Sequence, residues 1–185
     1  MEAIVRPDLT RIVLTGSESV GKSTLGTQLA RHYGVACVPE FVREYAATKG
    51  APLDFRDHGP IAFGQMAQED AYIARATSLL MQDTDVLSTV VYCHHYFGRC
   101  PAFIEDAAIA RRPSRYLLLD IDVPWVADPL RDRGDRREEL QQLFTDTLVR
   151  LGATFTTIRG NWETRFASAT QCIDEVLAAR RTITP

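Results

Sequence analysis

Between residues 16 and 23 the chain reads Gly16-Ser17-Glu18-Ser19-Val20-Gly21-Lys22-Ser23, which fits the pattern G-x-x-x-x-G-K-S/T. The residue types follow from the task of holding a chain of phosphates. Glycine at both fixed positions lets backbone N–H groups turn toward phosphate oxygens, where a Cβ atom would obstruct the approach. The lysine reaches the β- and γ-phosphates, and the hydroxyl that follows it ligates Mg²⁺. The stretch therefore predicts a nucleoside triphosphate site.

The flanking sequence supplies the structural context that this motif requires. Residues 11–15 form an apolar run typical of a buried strand, and Leu25, Leu29 and Tyr33 recur at helical spacing until Gly34. A helix that starts at the loop adds its positive N-terminal end to the phosphate site. An ordinary strand-to-helix turn without a ligand is the weaker alternative. We therefore expect the eight motif residues, together with Thr24, to bind ATP.

Composition limits the classes of protein that fit. The 185 residues, 45% hydrophobic and 24% charged, suit a single globular domain over residues 1–185. A net charge of −3 argues against a broad nucleic-acid-binding surface. The four cysteines form no C-x-x-C pair and indicate reduced thiols. Because no signal peptide or membrane span is recognisable, we expect a soluble cytoplasmic protein. We expect no membrane or nucleic-acid partner. A homo-oligomer is compatible with this composition.

A second short strand is predicted at residues 35–38, and a polar segment follows its carboxyl end. Such ends face the ligand crevice in open α/β sheets. Glu40, Arg43 and Glu44 are therefore candidates for substrate contact, and Glu40 is a candidate general base for an attacking hydroxyl. On spacing alone, an intrahelical ion pair on a solvated helix is an equally good interpretation.

Two aspartates follow another predicted strand, at residues 78–82, within the segment Asp83-Thr84-Asp85. A carboxylate in this position often holds Mg²⁺ through water in enzymes that use nucleoside triphosphates, which makes Asp83 the candidate metal residue. Asp85 is a candidate to bind a sugar hydroxyl or to accept the acceptor's proton. Both aspartates are also good helix N-caps. The phosphate loop in the same chain favours the functional interpretation.

Residues 86–96 are predicted to form a helix that carries Cys93-His94-His95. Adjacent histidines point to different sides of a helix, and the separation of Cys93 from Cys100 is not a familiar zinc spacing. Surface and packing roles are therefore favoured over metal binding. The apolar run that follows at residues 115–121 predicts a strand covered on both faces of the sheet.

Arginine is dense between residues 122 and 137, and Gly134 supplies a hinge. Cations that close over a triphosphate stabilise the charge that develops on the transferred phosphoryl group, and a closing lid excludes water. We therefore predict a lid at approximately residues 127–137, with Arg131 and Arg136 as its catalytic contacts. A solvated charge run is the alternative.

The last third of the chain continues the alternation of helices and strands. An amphipathic helix is predicted at residues 138–151, a strand at 154–158, and a final helix from Trp162 onward. In the strand order of such sheets, the turn before the final helix lies near the nucleotide base. Asn161 is therefore a candidate for contacting adenine, and a helix N-cap is at least as good an interpretation.

Taken together, these segments resemble the ribosylnicotinamide kinase domain of NadR-type proteins, within the P-loop kinase superfamily. The matching pieces, in chain order, are Gly16-Ser17-Glu18-Ser19-Val20-Gly21-Lys22-Ser23, Arg43-Glu44-Tyr45, Asp83-Thr84-Asp85, Pro124-Trp125-Val126-Ala127-Asp128, Arg131, Asp135-Arg136 and Arg165-Phe166. They extend over most of the chain. The phosphate loop is shared by many families, whereas the segment Pro124-Trp125-Val126-Ala127-Asp128 is much narrower.

The resemblance implies an α/β, three-layer P-loop kinase fold. Its mainly parallel five-stranded sheet would be covered by helices on both faces and carry a small arginine-rich lid. The implied reaction transfers the γ-phosphoryl group of ATP, with Mg²⁺, to the 5′-hydroxyl of nicotinamide riboside and gives nicotinamide mononucleotide for NAD salvage. By the same resemblance Lys22 and Ser23 hold donor and metal, Asp83 supports the metal, and Trp125 joins Glu40, Arg43 and Asp85 at the nucleoside.

Two departures from the family pattern keep alternatives open. The sequence carries no helix-turn-helix or adenylyltransferase region, so we expect kinase activity without the other roles of the fused proteins. The lid is shorter between Gly134 and Asp135, which leaves another nucleoside or a small alcohol as an alternative acceptor. A nucleotide-driven switch or ATPase is disfavoured, because no glutamate follows Asp83 to activate water and no N-K-x-D motif occurs.

Overall fold

Five parallel strands form the centre of the fold in this computed structural model, which describes residues 6–124 and 136–183. The strands are β1 (Thr10–Thr15), β2 (Cys37–Val38), β3 (Leu79–Asp83), β4 (Arg115–Leu119) and β5 (Phe155–Ile158). They lie in the order β2-β3-β1-β4-β5, and every neighbouring pair is parallel. The carboxyl ends of all five strands therefore meet at one edge of the sheet.

Helices connect the strands and cover both faces of the sheet. They are α1 (Lys22–Tyr33), α2 (Phe41–Lys49), α3 (His58–Ile73), α4 (Val86–Phe97), α5 (Ala102–Ala110), α6 (Arg137–Arg150) and α7 (Trp162–Ile183), and a short 3₁₀ turn at Phe55–Asp57 precedes α3. None of the helices within the described ranges has the length and apolar character needed to cross a bilayer.

The alternation of side chains along the central strands divides the core into two layers. Ile12 and Leu14 of β1 pack in the layer that α1 and α7 cover, whereas Val13 packs in the layer of α4 and α6. In β4, Leu117 belongs to the first layer and Tyr116 to the second. Burial on both faces explains why these strands are continuous apolar runs in the sequence. The predicted three-layer α/β fold with a parallel five-stranded sheet is confirmed.

The largest differences from the predicted elements lie in the helices between β2 and β4. The sequence predicts a helix from Pro60 to about Thr77, with proline in its first turn, whereas α3 spans His58–Ile73. Proline is tolerated in that first turn because its N–H groups lack intrahelical partners. Residues 102–110 carried no prediction and form α5. The predicted lid at residues 127–137 lies outside the described residues except for its last two positions, which begin α6.

A buried guanidinium joins the segments that meet at the carboxyl edge of the sheet. Arg165 of α7 has a relative exposure of 0%. Its Nη1 donates to the carbonyl oxygen of Val20 in the glycine loop (2.7 Å), and its Nη2 donates to that of Asp120 after β4 (2.7 Å). Its Nε donates to the carbonyl oxygen of Gly160 before α7 (2.9 Å). One side chain therefore fixes the glycine loop relative to β4 and to the β5–α7 turn.

The charge of Arg165 is balanced by Asp122, with which it forms an ion pair. Burial alone would raise the pKa of Asp122. The Gly160 N–H, which donates to Oδ2 (2.6 Å), and the guanidinium of Arg165 outweigh that effect and lower the pKa. A carboxylate with a lowered pKa in the folded state stabilises the fold at neutral pH, and this contribution is lost only as the pH falls through that value.

We predict that Arg165→Met strongly destabilises the protein. The substitution keeps most of the side-chain volume but leaves three carbonyl oxygens and Asp122 without their donor. Breaking a buried ion pair typically costs about 3–5 kcal/mol, so the midpoint of thermal unfolding should fall by about 10 °C in a chain of this size. Circular dichroism at neutral pH measures this midpoint.

Arg159→Met is the matched control, because it removes the same charge from the same turn. The side chain of Arg159 is 72% exposed and pairs with Asp120 at 2.6 Å, and exposed pairs contribute only about 0–1 kcal/mol. Equal losses of thermal stability in the two variants would contradict the role assigned to Arg165.

Candidate functional site

A cleft of about 1140 Å³ opens at the carboxyl edge of the sheet. Segments that follow all five strands contribute to its lining: residues 18–24 after β1, Glu40 after β2, Thr84 and Asp85 after β3, Val123 and Pro124 after β4, and Trp162 after β5. Ligands of open α/β sheets bind at this edge. Because one drug-sized ligand typically occupies about 300–1,000 Å³, the cleft has room for two small molecules side by side.

The glycine loop presents an uncapped helix end to this cleft. The N-cap of α1 is Gly21, no side chain caps the helix, and its first turn holds no acidic residue. An uncapped helix start of this kind attracts an anion through its first backbone N–H groups and through the helix dipole. Lys22 Nζ donates to the carbonyl oxygens of Gly16 (2.9 Å) and Ser17 (2.8 Å). This places the ammonium group beside the loop that would surround a phosphate.

Both motif glycines are required by their surroundings as well as by their backbone angles. Gly16 has a φ of +126°, and a Cβ atom there would lie 2.7 Å from the carbonyl oxygen of Leu119. Gly21 has a φ of +85°, and a Cβ atom there would lie 2.2 Å from the ring of Trp162. Any other residue would have to displace a strand end or an aromatic ring, so the loop geometry depends on glycine at both positions.

Helix α6 supports the loop from behind through two residues that the sequence analysis did not identify. The side chain of Gln141 accepts from the N–H of Ser17 (3.0 Å) and donates to the carbonyl oxygen of Leu119 (3.0 Å). Arg137 donates to the carbonyl oxygens of Val123 (2.7 Å) and Ser19 (3.3 Å). The sequence pattern of α6 showed only an apolar packing stripe, and these long-range polar contacts leave no local signal.

The segment after β3 carries strain and an unpaired carboxylate oxygen. Thr84 has a φ of +70°, which is rare for a β-branched residue and is typical of functional sites that the surrounding structure holds in place. Its N–H donates to the carbonyl oxygen of Leu14 (3.0 Å), and its hydroxyl hydrogen-bonds to that of Ser88. Asp83 Oδ1 is buried and has no hydrogen-bond partner within the described ranges.

The two predicted metal residues have the chemistry that Mg²⁺ requires. Ser23 is exposed in the first turn of α1 and lines the cleft. Asp83 is not among the cleft-lining residues, but by strand alternation it shares a face with Met81, in the core layer beneath α1. A hydroxyl and an unpaired carboxylate oxygen are the hard oxygen ligands that Mg²⁺ prefers. The residues therefore fit a magnesium ion, and the assignment stays a prediction.

Asp85 is a helix cap that also lines the cleft, and its role toward an acceptor stays a prediction. Its Oδ1 caps α4 by accepting from the N–H of Leu87 (3.1 Å), and its Oδ2 accepts from the hydroxyl of Tyr116 (2.6 Å). The same side chain also lines the cleft. Burial raises the pKa of Asp85 above its ordinary value, and the hydrogen bond from Tyr116 opposes part of that rise. A carboxylate with a raised pKa is a better proton acceptor.

A buried row of polar side chains lies beneath the cleft floor. Gln65 lines the cleft, accepts from the N–H of Phe41 (3.0 Å) and donates to Glu69 (3.2 Å). Glu69 forms an ion pair with Arg111 (3.3 Å). Burial and the nearby charge of Asp85 raise the pKa of Glu69, whereas Arg111 lowers it. The charges beneath the floor are therefore coupled to the carboxylate in the cleft.

Glu40 and Arg43 form the ion pair that the spacing allowed, with a distance of 2.9 Å between Oε2 and Nε. Both residues also line the cleft, and their contact with a substrate stays a prediction. Glu44 does not line the cleft. The pair places one acidic and one basic group on the wall formed by α2, opposite the glycine loop.

The wall built by α3 and α4 contains residues that the sequence analysis missed. They are His58, Ile61, Gln65, Ser88, Thr89, Tyr92, Tyr96 and Phe97. His58 Nδ1 lies 3.1 Å from the carbonyl oxygen of Asp54, which can only accept, so this nitrogen carries the proton. Burial lowers the pKa of His58 and keeps it neutral at neutral pH. Helical periodicity locates such residues on a helix but does not show which face meets the cleft.

Asn161, the predicted adenine contact, is a helix cap, and its neighbour Trp162 lines the cleft. Asn161 Oδ1 accepts from the N–H of Thr164 (2.9 Å), as a helix cap does, and Asn161 does not line the cleft. Trp162 does line it, with its ring against Gly21 and 46% of the residue exposed. An aromatic ring beside the glycine loop is placed to stack on a base.

Of the two predicted lid arginines, Arg136 lies within the described residues and Arg131 does not. Arg136 forms an ion pair with Glu139 on the surface of α6 and is not among the cleft-lining residues that the structure describes. Arg137, the next residue, contacts the glycine loop through the carbonyl oxygen of Ser19. Arg131 and Trp125 lie outside the described residues, so their predicted catalytic and substrate contacts stay predictions.

Comparison with known proteins agrees with this fold. The model of the AAA domain family matches residues 11–165. Among curated proteins, the chain is 29% identical to the trifunctional NAD biosynthesis/regulator protein NadR of Escherichia coli (strain K12), over 96% of this chain and 45% of that protein. The corresponding protein of Salmonella typhimurium (strain LT2) is also 29% identical, over 94% and 44%. The chain thus spans less than half the length of these relatives.

Solved structures show the same architecture. A crystal structure of NadR in complex with NR superposes with a TM-score of 0.81 at 20% identity, over 91% of this chain and 52% of that one. NadR in complex with NAD and AMP-PNP gives 0.77 at 20% identity, over 91% and 49%. Thymidylate kinase from Ehrlichia chaffeensis gives 0.65 at 14% identity, over 90% and 100%. At these identities the likeness establishes the fold.

We predict that Trp162 reports directly on a nucleotide in the glycine loop. In the Trp125→Phe variant Trp162 is the only tryptophan, and ATP should quench its fluorescence. Adding Gly21→Ala forces a methyl group into the ring and should weaken ATP binding at least about tenfold, the cost of roughly 1.4 kcal/mol.

Gly34→Ala is the matched control. Gly34 also has a positive φ, but nothing lies within 4 Å of a Cβ atom built there. The control should share the backbone strain and keep the ATP response. Unchanged quenching in Gly21→Ala would contradict the need for glycine at this position, and absence of quenching in Trp125→Phe would show that the nucleotide does not lie against Trp162.

Proposed function

The chain belongs to the AAA domain family, and on that premise we propose that it is an ATP- and Mg²⁺-dependent kinase for nicotinamide riboside. In the proposed reaction the γ-phosphoryl group of ATP passes to the 5′-hydroxyl of the riboside, and the products are ADP and nicotinamide mononucleotide. The described residues would act as one kinase domain. Its relatives are trifunctional NAD biosynthesis/regulator proteins, and one structural neighbour was solved with NR.

The observation that carries the proposal is the shape of the cleft. The uncapped start of α1 occupies one side, and the polar and aromatic wall of α2, α3 and α4 occupies the other. An ATPase that only moves a partner needs a site for water at the γ-phosphate, whereas this cleft continues past the glycine loop into a second half lined by α2, α3 and α4. That second half fits an acceptor molecule.

On the donor side, this chain's residues bind and orient the triphosphate. The N–H groups at the start of α1 would receive phosphate oxygens, and Lys22 would exchange the carbonyl oxygens of Gly16 and Ser17 for the β- and γ-phosphates. Magnesium held by Ser23 and Asp83 supplies neutralisation of the phosphate charge. Catalysis then depends mainly on positioning and charge stabilisation.

On the acceptor side, Asp85 is the residue best placed to handle the proton of the attacking hydroxyl. Tyr116 and the N–H of Leu87 fix its carboxylate, and both oxygens retain a second lone pair for an acceptor hydroxyl. Glu40 is the other candidate base, and its ion pair with Arg43 favours a role in binding the sugar instead.

The experiment that tests this function is an acceptor panel. Purified protein with Mg²⁺ and ATP is given nicotinamide riboside, other nucleosides or small alcohols, and both ADP and the phosphorylated product are quantified. We expect stoichiometric ADP and nicotinamide mononucleotide with the riboside. Product formed only from another nucleoside would identify that nucleoside as the acceptor. The shortened lid segment keeps this acceptor as the second candidate. ADP released without any acceptor would contradict a kinase.

We predict that Lys22→Ala lowers kcat about 10²–10³-fold, the usual cost of removing one donor that stabilises transition-state charge. Its thermal midpoint should change little, because the described contacts of the ammonium group are with loop carbonyl oxygens at the cleft. The control is Lys49→Ala, which breaks an ion pair with Asp57 away from the cleft lining. This control should lose stability and keep most of its turnover. The reverse pattern would contradict the role of Lys22.

We predict that turnover falls as the pH is lowered, with a midpoint above the pKa of about 3.9 of an ordinary aspartate. Burial raises the pKa of Asp85, and a general base works only when it is deprotonated. Asp85→Asn should reduce kcat and remove this acid limb, whereas Glu40→Gln should mainly raise KM. If Asp85→Asn keeps the limb and Glu40→Gln removes it, Glu40 is the base.

A further inference from the structure

The end of α4 and the start of α5 bring together three different kinds of metal-ligating atom. His94 Nε2, Cys100 Sγ and a carboxylate oxygen of Glu105 all lie within 4.8 Å of one another. His94 Nε2 is 2.8 Å from Glu105 Oε1. The three residues come from α4, from the connection between the two helices, and from α5. Each side chain is partly exposed, so the cluster is accessible from solvent.

A second thiol adjoins this cluster. Cys93, one residue before His94, is buried and shares a hydrogen bond with Cys100. Both cysteines are free thiols in the structure. The local set is therefore two sulfur atoms, one imidazole nitrogen and one carboxylate oxygen, which is four donors.

We propose that His94, Cys100 and Glu105, with Cys93 as the second thiolate, form a binding site for a zinc-class divalent metal ion. Zinc takes thiolate, imidazole and carboxylate ligands in tetrahedral geometry, with bonds of about 2.0–2.3 Å. Ligand atoms around such an ion lie roughly 3–4 Å apart, a spacing that follows from those bond lengths. The ligand atoms of His94, Cys100 and Glu105, all within 4.8 Å of one another, approach this spread, and Cys93 Sγ would have to move toward them to complete the set.

The donor set also separates this site from that of Mg²⁺. Magnesium requires oxygen ligands in octahedral geometry, whereas thiolate and imidazole select zinc and similar transition metals. Ser23 and Asp83, which would hold magnesium, follow β1 and β3, and neither belongs to the cluster. The two ions would therefore bind independently, and this proposal does not rest on the proposed kinase reaction.

A simple surface ion pair is the competing explanation, and the contacts of Arg150 bear on it. Arg150 lies 3.4 Å from Glu105 Oε1, and its side chain is 47% exposed. A long contact from an exposed guanidinium contributes little and can be released to solvent. An ion pair of His94 with Glu105 also gives no reason for two thiols to adjoin the same point. The thiols are what favour a metal.

A metal at this position would act on the cleft through α4. The residues Tyr92, Tyr96 and Phe97 of α4 line the acceptor half of the cleft, and His94 lies between them in sequence. Joining the end of α4 to α5 by four coordinate bonds would hold this wall in place. The sequence favoured surface and packing roles here, because adjacent histidines point to different sides of a helix and the separation of Cys93 from Cys100 is not a familiar zinc spacing. Glu105 belongs to a helix that carried no prediction.

Cobalt provides the most specific test, because Co²⁺ occupies zinc sites and reports its ligands by absorption. The full chain is freed of metal, kept reduced and titrated with Co²⁺ alone. We expect one equivalent to bind, with the strong near-ultraviolet band of a thiolate-to-cobalt transition and the visible bands of tetrahedral geometry. Added Zn²⁺ should displace the cobalt and raise the thermal midpoint by several degrees. Absence of the thiolate band in the reduced, folded protein would overturn the proposal.

Variants separate coordination from folding. His94→Ala and Glu105→Gln change partly exposed side chains, and each should weaken cobalt binding at least about tenfold, or roughly 1.4 kcal/mol. Cys100→Ser should remove most of the thiolate band. His95→Ala, on the same helix, and Cys37→Ser, beside α1, are the controls and should leave the titration unchanged. Retention of the cobalt spectrum in the double variant His94→Ala/Cys100→Ser would equally refute the site.

Discussion

The arrangement of the cleft depends on one buried positive charge. The guanidinium of Arg165 donates to backbone carbonyl oxygens in the segments that follow β1, β4 and β5, and it pairs with Asp122. Because a buried charge is costly without partners, every one of these contacts must be present in the folded state. The loop is thereby held open from behind, by Arg165 on one side and by Gln141 and Arg137 of α6 on the other. The start of α1 can then face the cleft without a cap of its own.

The two halves of the cleft are built on different principles. The donor half is formed mainly by the backbone: the glycine conformations set the path of the loop, and the N–H groups at the start of α1 face the site together with one lysine. The acceptor half is side-chain chemistry, in which Asp85 is fixed by Tyr116 and the walls come from α2, α3 and α4. The strained backbone of Thr84 lies between the two halves. This division explains how a phosphate loop common to many proteins can serve an acceptor that only the second half defines.

The donor half was predictable from sequence, and most of the acceptor half was not. The glycine loop is a contiguous motif, and continuous apolar runs predicted the strands because parallel sheets bury both faces. Asp85 was identified because its segment comes at the carboxyl end of a predicted strand. Residues such as His58 and Tyr92 lie on helices whose rotation about the sheet is set by packing. Arg165 was recognised only as part of a family-like segment, because its partners lie up to 145 positions away in the chain. The sequence also did not show that Asn161 would cap α7 while the neighbouring Trp162 would line the cleft.

The proposed kinase function requires that one cleft hold a phosphoryl donor and a nucleoside acceptor at the same time. The most direct measurement is calorimetric binding of a single bridged ligand, adenosine joined through a polyphosphate chain to the 5′-oxygen of nicotinamide riboside. If both halves of the cleft are occupied, one bridged ligand should bind per chain, with an affinity well above that of ATP or the riboside alone. Either ATP or the riboside should displace it. A bridged ligand that binds no more tightly than ATP, or that the riboside cannot displace, would contradict the proposed function.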